Sequence, residues 1–110
     1  MNKAKVITIC GSLRFIDEIK IHTERLSLEG NCVLSIIDKV KENYTEYDME
    51  LLGIFHKQKI DMSDAIFVVN INGYIGSSTR NEIEYAKSLN KEILYLEPNI
   101  GDENENIIFM

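Results

Sequence analysis

Apolar residues along this chain fall into four short runs, separated by longer stretches in which they recur every three or four positions. "KVITIC" (5–10), "CVLSII" (32–37), "AIFVVNI" (65–71) and "EILYLE" (92–97) are the runs. Continuous, β-branched stretches of this length predict strands covered on both faces. Between the first two, Ile16, Ile19, Thr23 and Leu26 share one helical face over 13–29, and Gly30-Asn31 supplies a stop. A polar loop follows over 38–47, until Thr45-x-x-Asp48 offers a start resembling a capping box. The helix it opens is predicted to reach about Met62, with an inner stripe of Met49, Leu52, His56 and Ile60. "GYIGSSTRNEIEYA" (73–86) opens a third helix reaching about Asn90, with Glu82, Ala86 and Leu89 inward. Pro98 ends the last strand. Beyond it, 101–106 is acidic and loop-like, and 107–110 offers an edge strand or a docking segment.

Strands alternating with helices at this spacing mean βαβ units, hence a parallel sheet wound by right-handed crossovers. The expected fold class is α/β: a single domain over 1–110, built as a flavodoxin/Rossmann-like three-layer sandwich. Its four to five strands should run in the order 2-1-3-4, with any fifth strand after the fourth. Ligands bind such sheets where the strand order reverses, here between strands 1 and 3. "GSLR" (11–14) and "NGYIGSST" (72–79) both arrive at that point.

Composition narrows the function. At 110 residues, 45% hydrophobic and 27% charged, the chain can form one core and no second. A formal charge of -6 argues against a nucleic-acid polymer as partner, because that mode needs clustered cations, yet it leaves room for a small anionic ligand. No apolar run approaches the roughly 20 residues of a membrane span, and "MNKAK" leads into a strand instead of a signal peptide's apolar core. A cytoplasmic protein without membrane contact is expected. Cys10 and Cys32 lie inside strand runs with no metal-ligand spacing, so both are expected to be buried, reduced and without a chemical role.

Candidate chemistry gathers at the reversal point. Helix N-termini offer unpaired N–H groups and partial positive charge, so Gly11-Ser12 and Gly76-Ser77-Ser78-Thr79 are candidate anion seats. Neither is a dinucleotide fingerprint or a Walker A loop, and turn-making glycines are a strong alternative account of both. Two readings of Glu82 stand side by side. Thr79-Arg80-Asn81-Glu82 fits a capping box, in which the glutamate reaches back to its own backbone. Alternatively, its place on the inward stripe sends the carboxylate into the crevice, kept ionised by the nearby helix N-terminus, where it suits a glycosidic displacement. His56 lies on an apolar face, as a core histidine or a catalytic one. Arg14 and Arg80 are candidate phosphate ligands. Tyr44 and Tyr47 are candidate base-stacking residues, while Asp61 and Asp64 fit capping or turn duty.

Taken together, "ICGSLRF", "SDAIFVVNI" and "NEIEYAKSLNKEILYL" resemble the nucleoside 2-deoxyribosyltransferase-like superfamily, and within it most closely the 2′-deoxynucleoside 5′-phosphate N-hydrolase branch. The likeness covers 5–97, and its most specific element is a glutamate four residues before an alanine, then a lysine and the next strand: Glu82, Ala86 and Lys91. By that resemblance Glu82 is the nucleophile that cleaves or transfers the bond between base and sugar. By the same likeness Gly11, Ser12 and Arg14 would contact sugar and phosphate. The residues themselves, apart from the likeness, suggest Gly76, Ser77, Ser78, Thr79 and Arg80 as the rest of the seat, and His56, where the family carries an aspartate, as an aid to proton transfer to the departing base. The resemblance implies a nucleoside or nucleotide substrate, and a homodimer is expected because so short a chain leaves one side of the crevice open. No metal and no cofactor is implied. The rival expectation is a nucleotide-binding or sensing module without chemistry; a third is an interaction module using the "IIFM" end.

Overall fold

The computed structural model describes residues 3–36 and 43–98. Its sheet contains β1 (Val6–Gly11), β2 (Cys32–Leu34), β3 (Ala65–Val69) and β4 (Glu92–Tyr95), all parallel, in the order β2-β1-β3-β4. Three helices connect them: α1 (Ile16–Leu28), α2 (Glu46–Asp61) and α3 (Ser77–Ser88). The α/β class and the strand order are those expected from the alternation of elements. The possible fifth strand over 107–110, the acidic 101–106 and most of the loop after β2 lie outside the described residues.

Strand parity builds the three layers. Ile7 and Ile9 of β1 join Phe67 and Val69 of β3 on one face, where Ile19 and Leu26 of α1 cover them. Cys10, Ile66 and Val68 point to the other face, against Ile60 of α2 and Ile83 and Ala86 of α3. All five residues of β3 are buried, as a central parallel strand with helices on both sides requires. Gly11 is fixed by this packing, since an added Cβ would come within 3.2 Å of the Val69 Cβ and 3.4 Å of Ile19 Cδ1. Among the described residues no helix is long and apolar enough to cross a membrane.

Local deviations from the expected boundaries have local causes. β1 runs one residue further, through Gly11, because that residue still pairs with Val69. β3 stops at Val69, where Asn70 turns its amide to Glu97, donating to its carbonyl and accepting from its N–H at 2.9 Å each. Ile71–Gly73 then forms a short 3-10 turn, with Asn72 at φ 54° and Gly73 at φ +75°. The capping box at Thr45 is present: its hydroxyl accepts from Asp48 N–H and the Asp48 carboxylate accepts from Thr45 N–H, both at 3.0 Å. Of the expected inner stripe of α2, His56 and Ile60 are buried, but Met49 is 52% exposed. The first turn of α2 projects past the core, and only the later turns pack. Thr45→Ala is expected to remove the capping-hydroxyl bond at a cost of about 1 kcal/mol, read as a lower thermal midpoint with an unchanged circular dichroism spectrum.

Candidate active site at the β1–β3 switch point

The sequence left open whether Glu82 caps its helix or faces a crevice, and the start of α3 decides. The N-cap is Gly76, in extended conformation (φ -73°, ψ 168°), and not Thr79. Ser77 and Ser78 are taken into the first turn, so the helix begins earlier than the S/T-x-x-E pattern implied. Glu82 therefore lies in the second turn, out of reach of the N-cap amide, and no side chain caps the helix. Thr79, Ile83 and Ala86 form the buried stripe, while Leu89, at the C-cap, is 39% exposed. The Glu82 side chain lies beside that stripe and is 22% exposed.

Glu82 forms part of the wall of a cleft of about 400 Å³ between the ends of β1 and β3, within the size range of small-molecule sites. Gly11, Ser12, Gly76, Ser77, Ser78 and Thr79 line this cleft, together with Leu13 and Tyr74. Six of the eight expected substrate-binding residues are thus brought together. Ser12 also caps the short turn at Leu13–Phe15 by accepting from Arg14 N–H at 3.3 Å. Of the remaining two, Arg14 stands at the rim with its guanidinium 3.9 Å over the Tyr74 ring, and Phe15 meets that ring edge-on. Arg80 is exposed and outside the lining.

Behind Glu82 sits a cluster that primary structure did not reveal. His56 Nε2 is 3.6 Å from Glu82 Oε1 and 3.6 Å from Cys10 Sγ. Burial lowers the His56 pKa to about 4, helped by the Lys59 charge, so at neutral pH the imidazole is uncharged and its contact with Glu82 is not an ion pair. His56 does not line the cleft, so it abuts the carboxyl from behind. Burial also raises the Glu82 pKa to about 7, against the opposing pull of a hydrogen bond with Cys10 and the Lys57 charge. The expectation that the helix N-terminus keeps Glu82 ionised is overturned, because desolvation of the carboxylate is the larger effect. Cys10 has its thiol pKa pushed up by burial, then by the Glu82 charge and hydrogen bond.

Three other expectations change. Cys32 is exposed on β2 instead of buried, because β2 is an edge strand. Tyr47 is 67% exposed and neither it nor Tyr44 lines the cleft; the aromatic residue there is Tyr74, inside the same glycine- and hydroxyl-rich segment that opens α3. Asp61 and Asp64 have structural partners, accepting from the Tyr85 hydroxyl and from Val6 N–H. The signal for Cys10 was strand parity, since it shares its side of β1 with Thr8, the face that α2 and α3 cover.

Fold and cleft together define a small parallel α/β protein with a half-buried carboxyl at the topological switch point. No family model and no curated protein sequence matches the chain. Among solved structures it is similar to a conserved protein from Enterococcus faecalis V583, with a TM-score of 0.59, 14% identity and 84% of this chain covered. It is also similar to a 2-desoxiribosyltransferase from Leishmania mexicana, with a TM-score of 0.57, 22% identity and 83% covered. At these identities the shared property is the fold, and the chain spans 63% of each of those two longer chains.

Proposed function

We propose that this protein cleaves or transfers the N-glycosidic bond of a nucleoside or nucleoside 5′-monophosphate, with Glu82 as the nucleophile. One observation carries the reading: Glu82 lies beyond the uncapped start of its helix and is among the residues lining the cleft at the switch point. In its ionised form Glu82 attacks the anomeric carbon as the carbon–nitrogen bond to the base breaks. Water then releases the sugar in a hydrolase, or a second base takes it in a transferase. Ser12 and the first-turn amides of α3 hold the sugar and phosphate, since an uncapped helix start presents N–H donors and partial positive charge to an anion. His56, expected to assist proton transfer to the departing base, is instead a neutral imidazole outside the cleft lining that packs against the carboxyl, because burial lowers its pKa to about 4. The resemblance of the sequence and the fold shared with the Leishmania transferase both favour this reading. The exposed Ile54 and Phe55 on α2 are in keeping with a homodimer.

A second reading, a nucleotide-binding module without chemistry, draws on the raised Glu82 pKa, because a protonated carboxyl donates a hydrogen bond and does not attack. Incubation with a panel of 2′-deoxynucleosides and their 5′-monophosphates, followed by chromatography of free base, separates the two. Base release supports the glycosidase; thermal stabilisation by ligand without release supports the binding module. Arg14→Ala is expected to raise KM about tenfold more for the 5′-monophosphate than for the nucleoside, the loss of one charge-assisted contact to phosphate. Equal effects on the two substrates would remove Arg14 from the phosphate seat.

A further inference from the structure

We infer that Cys10, His56 and Glu82 together form a tridentate site for a thiophilic divalent ion, Zn²⁺ or a close substitute, at the back of the cleft. One ligand atom from each residue lies within 4.8 Å of the other two. The Sγ–Nε2 and Nε2–Oε1 separations are both 3.6 Å. In a tetrahedral zinc centre, with zinc–sulfur near 2.3 Å and zinc–nitrogen or zinc–oxygen near 2.1 Å, neighbouring ligand atoms are about 3.4–3.6 Å apart. Two of the three edges therefore already have the length the ion requires.

The three ligands come from β1, α2 and α3, so the packing of α2 and α3 on the sheet holds the set together and not any local sequence motif. Thiolate, imidazole and carboxylate are a zinc-type donor set, whereas the all-oxygen coordination that magnesium and calcium prefer is absent from the cluster. Charge also balances. Binding releases the thiol proton to solvent, together with any proton on Glu82, and one dication then meets one thiolate, one carboxylate and a neutral imidazole. The buried ensemble carries no net charge, which removes the cost of leaving a lone carboxylate there. Since Glu82 belongs to the cleft wall, the fourth coordination position can face the cleft, open to water or a ligand.

The site stands independently of the glycosidase reading. Where that reading holds as well, the ion occupies the nucleophile's oxygen and excludes substrate, so Zn²⁺ acts as an inhibitor competitive with nucleotide and not as a cofactor.

Titration of the full chain with Co²⁺ under reducing conditions tests the site without any activity measurement. The expected result is a near-ultraviolet sulfur-to-metal charge-transfer band with strong visible bands of four-coordinate cobalt, both displaced by Zn²⁺. Cys10→Ser should abolish the near-ultraviolet band. Glu82→Gln and His56→Gln should each weaken binding about tenfold or more, and Cys32→Ser should change nothing. Should Cys10→Ser fold poorly, the Glu82→Gln and Cys32→Ser titrations decide between the two thiols. No charge-transfer band, or one lost in Cys32→Ser and unaffected by Glu82→Gln, overturns the proposal. Base release by the metal-free protein is assayed separately, so failure of the metal site leaves the glycosidase reading untouched, and the reverse.

Discussion

Glu82→Gln is expected to lower base release by at least about three orders of magnitude while leaving the fold and nucleotide binding in place. The amide keeps the size of the carboxyl and can keep its neighbours, but it cannot attack an anomeric carbon. Loss of a covalent nucleophile removes a step made only in the transition state, so the loss should fall on kcat with little change in KM. In the native protein kcat/KM should rise with pH through about 7, as the buried carboxyl gives up its proton. The measurement is chromatography of free base across pH 5–9 for both proteins. Residual activity within tenfold of the native level would remove Glu82 from the chemistry and leave the binding module as the better account.

The same substitution is expected to make the protein more stable, and only on the alkaline side. Burial raises the Glu82 pKa from 4.5 to about 7. A group that holds its proton more tightly when folded contributes stability fully below its unfolded pKa. That contribution is lost progressively as pH rises toward the folded value, and above it the native state bears the whole cost of a desolvated carboxylate. A rise of this size corresponds to about 3 kcal/mol. Glutamine carries no charge at any pH, so Glu82→Gln should raise the thermal midpoint by about 10 °C at pH 8.5 and by almost nothing at pH 4.5. A midpoint difference that does not depend on pH would show that the carboxylate is already ionised and well solvated in the native state. A function that needs a half-buried carboxyl accepts this loss of stability, which is why the two expected effects of one substitution have opposite signs.

Most of the scaffold was legible in the primary structure because its signals are local. Ile7, Ile9, Phe67 and Val69 sit in runs whose length and branching define buried strands, and the alternation with helices leaves few parallel topologies. Thr45 and Asp48 announced a helix start that the structure contains. The same kind of signal misled at Thr79. Its pattern with Glu82 is a valid capping box, but Gly76 opens the helix earlier, and the hydroxyl is buried on the inner face. Cys10 has no cysteine or histidine near it in sequence, and its neighbour His56 lies 46 residues along the chain. Nothing in the spacing of 72–79 distinguishes Tyr74, and its place in the cleft depends on the turn made by Asn72 and Gly73.

By itself, then, the order of amino acids determined an α/β domain with strands in the order 2-1-3-4 and two glycine-bearing turns meeting at the reversal. Hydrophobic periodicity and chain connectivity are enough for that, since each acts within one element or between consecutive ones. The direction of the Glu82 carboxyl, its proton affinity and its company of thiol and imidazole were decided only when α2 and α3 packed on the same face of β1. Desolvation and contact depend on what the rest of the chain places around a group, and no spacing along the backbone encodes that.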